Sequence, residues 1–204
     1  MTDDDAPAAR DLVAEFEAAY AGTPPWEIGR PQSAFATLAA TGQLRGRVLD
    51  VGCGTGEHVL MAVGLGLDAI GIDVAPTAIR RAEAKAEQRG VAARFIVGDA
   101  CRLQGLGERF ETVLDCGLFH VFDDVDRPAF VDSLRAVVEP GGRYFMLCFS
   151  EHEPSGWGPR RVTQAELHEA FSDGWEVDAI EPSGIEVTVR PEPARSWLAS
   201  ISPR

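Results

Sequence analysis

The sequence predicts an α/β fold, three layers with helices on both faces of a mostly parallel sheet, and three observations carry that expectation. Short apolar or β-branched runs alternate with helical segments through the middle of the chain. The first of these runs passes directly into closely spaced glycines. The chain then ends in two strand-like runs joined by a loop rich in Pro and Gly, as a closing antiparallel hairpin would be. With 204 residues there is enough chain for one domain with a full core and too little for two comfortable ones, so a single domain over 1–204 is expected.

Each element follows from local pattern. Residues 1–9 are polar and are expected to be frayed. From Asp11, the positions Leu12, Phe16, Ala19 and Tyr20 recur at helical spacing, giving an amphipathic helix that ends near Gly22. Residues 23–31, with three prolines, cannot be regular; a second helix follows to about Thr41. These segments make an N-terminal helical cap, 1–45, ahead of a core at 46–150. In the core, strands are expected at 47–51, 68–73, 94–98, 110–116 and 142–149. Pro76 opens an intervening helix and Gly90 closes it. Another helix, 126–138, sets Phe130, Leu134, Val137 and Val138 on one face and stops at the turn Glu139-Pro140-Gly141-Gly142. In the last part, 151–204, Thr163-Gln164-Ala165-Glu166 is a capping box, with Val162 and Leu167 placed as a hydrophobic staple. Strands near 175–181 and 195–201 form the hairpin.

Composition narrows the partners. Apolar residues are 45% and charged residues 25% of the chain, as in packed globular proteins. The net charge of -13 repels phosphate backbones and anionic membranes, so neither nucleic acid nor a membrane is an expected partner. The densest basic cluster, Arg80, Arg81, Lys85 and Arg89, is interleaved with Glu83 and Glu87 and reads as a solvated helix face. Four scattered cysteines without a C-x-x-C pair indicate neither a disulfide framework nor zinc. His152 between Glu151 and Glu153 is not a metal site, because alternate residues of a polar loop do not converge unaided. The acidic start, Met1-Thr2-Asp3-Asp4-Asp5, and the absence of an apolar run of roughly 18 residues point to a cytoplasmic protein with reduced thiols.

The most informative segment is Val48-Leu49-Asp50-Val51-Gly52-Cys53-Gly54-Thr55-Gly56. A nucleotide-like ligand at the carboxyl edge of a first strand needs backbone close by and no Cβ in the way. A dinucleotide fingerprint would read G-x-G-x-x-G, but here Glu57 stands at the third glycine position, an acid at a helix mouth that disfavours pyrophosphate. A second match, 64–69, precedes a strand where it should follow one, and is taken as chance. Asp73 ends the second strand, 17 residues after Gly56, where a carboxylate can accept from ribose hydroxyls. Asp99 ends the third strand, placed for an adenine amino group, and Asp115 ends the fourth, beside the expected reacting centre.

Asp50-x-Gly52-x-Gly54-x-Gly56, Asp73, Gly98-Asp99-Ala100 and Pro140-Gly141-Gly142 together resemble the class I S-adenosylmethionine-dependent methyltransferases, over roughly 47–149. The resemblance implies a Rossmann-like seven-stranded sheet with an antiparallel last strand. It implies S-adenosyl-L-methionine as methyl donor and S-adenosyl-L-homocysteine as product. The cofactor would lie on Asp50, Gly52, Cys53, Gly54, Gly56, Asp73, Val74, Asp99, Ala100 and Asp115. The flanks, 24–32 and 115–122, look like the bacterial small-molecule group related to thiopurine methyltransferases, and within it the mycobacterial heterocyclic-toxin methyltransferases, whose acceptors are hydroxyquinolones. That likeness implies a detoxifying methylation of a small aromatic or heterocyclic acceptor, most simply at a hydroxyl or N-hydroxyl oxygen, by a monomer or homodimer.

Several side chains then carry two readings each. Tyr20, Ile28, Phe119, Phe122, Phe149 and Trp157 fall at the ligand-binding edge and either wall an acceptor pocket or pack the core. His120, with an ordinary pKa of about 6.5, is either a general base for a protonated acceptor or a histidine held in a loop. Arg160 either neutralises an acidic acceptor or covers the surface, and Trp26 and Arg30 either close over the cofactor or do not. Two alternatives keep the glycine loop while changing the activity: a non-catalytic sensor of the cofactor or its product, and an NAD-dependent oxidoreductase. Nucleic acid as acceptor is disfavoured by the charge and by the absence of an Asn-Pro-Pro-Tyr-type motif.

Overall fold

The computed structural model describes residues 11–204; the polar stretch expected to be frayed at 1–9 lies outside them. Helices α1 (Leu12–Tyr20) and α2 (Ser33–Ala40) precede β1 (Arg47–Val51), α3 (Glu57–Gly64), β2 (Asp68–Asp73), α4 (Pro76–Arg89) and β3 (Arg94–Val97). After a 3-10 segment, Ala100–Leu106, come β4 (Phe110–Cys116), a 3-10 turn at Phe119–Val121, α5 (Arg127–Val137), β5 (Val138–Phe149), α6 (Gln164–Ala170), β6 (Trp175–Ile185) and β7 (Ala194–Pro203).

All seven strands form one sheet in the order β3-β2-β1-β4-β5-β7-β6. β1 pairs in parallel with β2 and β4, whereas β7 runs antiparallel to both β5 and β6. This is the expected mostly parallel sheet with an antiparallel last strand. Because helices cover both faces, strand side chains are buried alternately on either side. Along β5, Tyr144 and Met146 join the cluster containing Phe130, Leu134 and Trp175, while Phe145 and Leu147 join the one containing Phe35, Val59 and Ile79. Burying each such side chain contributes roughly 1.5–3 kcal/mol. The chain leaves β1 towards β2 and later returns to its other side with β4, which opens a crevice at the carboxyl ends of these strands.

Local chemistry explains the ends. Pro76 starts α4 and Gly90 closes it in the left-handed conformation. The capping box is formed, Thr163 N–H donating to Glu166 at 2.8 Å and Glu166 N–H to Thr163 Oγ1 at 3.1 Å. Two elements differ from expectation. The turn at 139–142 lies inside β5, which already pairs at Val138 with Phe110 and shifts register before Arg143 meets Thr112. The hairpin is also longer than its apolar core suggested, pairing from Trp175 with Pro203 to Ile185 with Ala194, because backbone pairing continues past the last apolar positions.

Candidate active site

A cleft of ≈ 1180 Å³ opens at the carboxyl edge of the sheet. Its floor is the loop after β1. Gly54 N–H donates to Asp73 Oδ2 at 2.8 Å and Ala75 N–H to Asp73 Oδ1 at 2.9 Å, so one carboxylate braces two loops. Burial raises the pKa of Asp73, while these two amide hydrogen bonds favour its charged form. Each oxygen keeps a second lone pair for a ligand hydroxyl. Gly56 has φ +84 and a Cβ there would come within 2.6 Å of the Phe95 ring, so the floor has no space for a side chain. Val74, Asp99 and Ala100 line the same end, Asp99 capping the Cys101 amide at 2.8 Å and half-exposed.

The N-terminal cap closes this end. Trp26 Nε1 donates to the Tyr20 hydroxyl at 3.0 Å, and that hydroxyl lies 2.8 Å from where a Cβ of Gly54 would be. Tyr20 therefore belongs with the glycine loop, closer to the cofactor end than to the acceptor wall expected for it. The loop holding Trp26 is tied on both sides. Glu27 pairs with Lys85 at 3.0 Å and accepts from Thr55, and Lys85 and Arg89 both reach Glu57. Arg81 bonds the Tyr20 and Gly22 carbonyls. The basic face of α4, read from sequence as merely solvated, is thus a clamp for the cap. Across the cleft, Arg30 pairs with Glu186 at 2.7 Å, and Thr188 N–H donates to the Pro25 carbonyl at 2.8 Å. Glu186 also accepts from the Ser33 amide and hydroxyl, and Arg30 with these bonds pulls its pKa down to about 2. Arg30 lines the cleft, but its charge is engaged by this latch.

The other end has aromatic walls. Phe149 and Trp157 line it at 5.0 Å centroid separation, and His120 meets Phe149 edge-on at 4.9 Å. Trp157 is anchored by Glu153, which accepts from its Nε1 at 3.0 Å, and by the Arg190 guanidinium 4.6 Å over its ring. Arg161 lies over Phe149 and donates to backbone carbonyls at 153, 157 and 159. Ile28 and Phe122 also line the cleft. Gly158 has φ +63, and a Cβ there would strike Phe149 at 2.9 Å.

Four expectations are corrected. Asp115 is fully buried and accepts from the amides of Leu118 and Phe119 and from the Tyr144 hydroxyl, so it shapes the loop after β4 and does not line the cleft. Burial pushes its pKa up to about 7. Asp50 is buried behind the glycine loop, 3.5 Å from His58 Nδ1, and does not reach the cleft. Phe119 is core: it stacks on Phe171 and lies under Arg127. Arg160 lines the cleft with its charge taken by Asp124 at 2.7 Å and by Glu166. His120 stays at the cleft, but its Nδ1 accepts the Phe149 amide at 2.9 Å and burial pushes its pKa down to about 3. That is unsuited to a general base working near neutrality.

Residues not singled out from sequence complete the cleft, among them Gln32, His58, Ile185 and Val187. His58 was legible in principle, since it and Glu57 are the two polar side chains of the helix Glu57–Gly64. Among the described residues, no set of three His, Cys, Asp or Glu side chains converges as for a metal, and no helix is long and apolar enough to cross a membrane.

The sequence matches the family described as Methyltransferase domain over residues 48–142. It is 36% identical over 179 residues to a 2-heptyl-1-hydroxyquinolin-4(1H)-one methyltransferase of Mycobacteroides abscessus, covering 82% of this chain and 79% of that protein. It is 30% identical to a probable thiol methyltransferase 2 of Arabidopsis thaliana, covering 74% and 68%. A solved structure from work on conversion of a disulfide bond into a thioacetal group during echinomycin biosynthesis superposes with a TM-score of 0.85, at 34% identity, covering 94% of this chain and 93% of the other.

Proposed function

The chain belongs to the class I S-adenosylmethionine-dependent methyltransferases that act on small molecules, and from that premise we propose that it methylates an oxygen of a flat aromatic or heterocyclic acceptor of hydroxyquinolone type. Membership removes the NAD-dependent alternative, in keeping with Glu57 at the third position of the failed fingerprint. S-adenosylmethionine supplies a methyl group activated by a positively charged sulfur. The glycine floor fits such a group: Gly52, Gly54 and Gly56 leave room for it, Asp73 would accept from its ribose, and Asp99 with Ala100 would meet its adenine. Trp26 and Tyr20 would cover it.

The observation that carries the acceptor proposal is the wall of Phe149 and Trp157 beside His120, at the same cleft as the glycine floor. Two tilted rings 5.0 Å apart, Phe149 nearly buried and Trp157 half-buried, fixed by Arg161, Arg190 and Glu153, give the acceptor an apolar wall. Holding the acceptor against the methyl donor in one cleft supplies much of the acceleration. The likeness to the hydroxyquinolone methyltransferase supports an N-hydroxyl oxygen as acceptor atom. The test is a panel of N-hydroxy quinolones, phenols and thiols with labelled methyl donor. Turnover highest on the N-hydroxy heterocycles is expected; preferred turnover of thiols would move the acceptor atom to sulfur, and none on any member with S-adenosylhomocysteine still bound would refute the acceptor class.

A further inference from the structure

The protonation of His120 says in what form the acceptor is taken, an inference that rests on the methyltransferase reading above. A neutral imidazole that accepts at Nδ1 carries its hydrogen on Nε2. His120 Nδ1 accepts the Phe149 amide, His120 and Gly117 both line the cleft, and Nε2 lies 3.2 Å from where a Cβ of Gly117 would be. The ring is therefore a fixed donor at Nε2, with no free lone pair to receive a proton.

We propose that His120 Nε2–H binds the acceptor as an oxyanion, so that the substrates are hydroxyl compounds acidic enough to lose their proton to water before they bind. Of the charges around this part of the cleft, Arg161 favours an anion and the Asp123 carboxylate, its Oδ1 held by the Val125 and Asp126 amides, opposes one. β4 contributes Asp115 and Cys116, β5 contributes Tyr144 and Cys148, Asp123 follows the 3-10 turn, and Arg161 comes from the loop before α6. Asp115 is occupied by two amides and Tyr144, and burial keeps the Cys116 and Cys148 thiols and the Tyr144 phenol protonated. Arg161 is the charge that acts on the ring, and its positive field favours an anion there. The balance then closes without a protein base. The oxyanion's lone pair forms the O–CH3 bond as the C–S bond breaks and its pair returns to sulfur, so positive sulfur and negative oxygen become neutral together.

The test is a spectrophotometric titration of 2-heptyl-1-hydroxyquinolin-4(1H)-one and of 4-nitrophenol on protein loaded with S-adenosylhomocysteine, which has no methyl to transfer. Bound probes should ionise about one pH unit or more below the free compounds, a tenfold preference for the anion. His120→Asn can keep an oxygen near the Phe149 amide while placing nothing at Nε2; it should lose that shift and retain wild-type affinity for S-adenosylhomocysteine. As a second measurement on the wild type, kcat/KM over a series of substituted phenols should rise with pH through each acceptor's own pKa. Unshifted ionisation, a single pKa common to all acceptors, or failure of both probes to bind would overturn the proposal. If S-adenosylhomocysteine itself does not bind, the methyltransferase reading fails instead.

Discussion

Asp73→Asn separates two jobs of one carboxylate. In the wild type, Oδ2 takes the Gly54 amide at 2.8 Å and Oδ1 the Ala75 amide at 2.9 Å, both bonds to a charged, buried acceptor. Asparagine keeps one oxygen and turns an NH2 group towards the other amide, donor against donor. Losing one charge-assisted bond and leaving a buried N–H unpaired costs about 2–3 kcal/mol. In a chain of this length that lowers the melting temperature by about 5–10 °C. If Asp73 also accepts from the ribose, S-adenosylhomocysteine binding weakens by a further 1–3 kcal/mol, about 5- to 150-fold. Thermal unfolding without ligand reads the first effect and calorimetric titration of S-adenosylhomocysteine the second. Loss of stability with an unchanged dissociation constant refutes the ribose assignment; unchanged stability refutes the brace.

Two glycines should divide the cleft by function. Gly56→Ala forces a Cβ to within 2.6 Å of Phe95 at φ +84 and should weaken S-adenosylhomocysteine binding by about tenfold or more. Gly158→Ala pushes on Phe149 at 2.9 Å and should raise the acceptor KM by a similar factor of about ten while leaving cofactor affinity alone; calorimetry and steady-state kinetics would expose the reverse pattern, which would exchange the two ends. Asp115 and His120 oppose each other in the pH dependence of stability. With its folded pKa raised to about 7, Asp115 binds more protons in the native than in the unfolded state between about pH 4 and 7, so its contribution falls as pH rises through that window. His120, lowered to about 3, binds fewer protons when folded, so its contribution falls as pH drops from about 6.5 towards 3. Asp115→Asn removes the first and should make stability rise more steeply with pH between about 4 and 6.5, by up to about 1.4 kcal/mol per pH unit in urea unfolding; parallel curves for variant and wild type would discredit the Asp115 shift.

Much of this architecture was readable because it is governed by local steric and periodic rules. Gly56 must be glycine for backbone reasons that hold before any packing is known. Pro76, Gly90 and the Thr163 capping box mark helix ends through hydrogen bonds within a few residues. The alternation that buries Tyr144 and Phe145 on opposite faces is a property of any strand. The turn at 139–142 misled because Gly and Pro interrupt ladder hydrogen bonds without ending the strand, and the register shift that absorbs them depends on β4.

The misplaced site residues share a different cause: what a side chain faces is decided by partners distant in sequence. Phe119 and Phe122 are three residues apart and both buried, yet only Phe122, packed on Phe130, also lines the cleft, which spacing in a short irregular turn does not determine. Asp115 has the position of a reacting-centre carboxylate, but the amides of Leu118 and Phe119 turn back onto it and Tyr144, 29 residues later, donates to the Oδ2 that Phe119 also meets. The same holds for His120. Its type left open a proton acceptor or a histidine held in a loop, and a single backbone amide, that of Phe149, occupies Nδ1 and fixes where the ring hydrogen sits. Chemistry at such a position is set by the second hydrogen bond of the side chain, and that bond comes from tertiary structure.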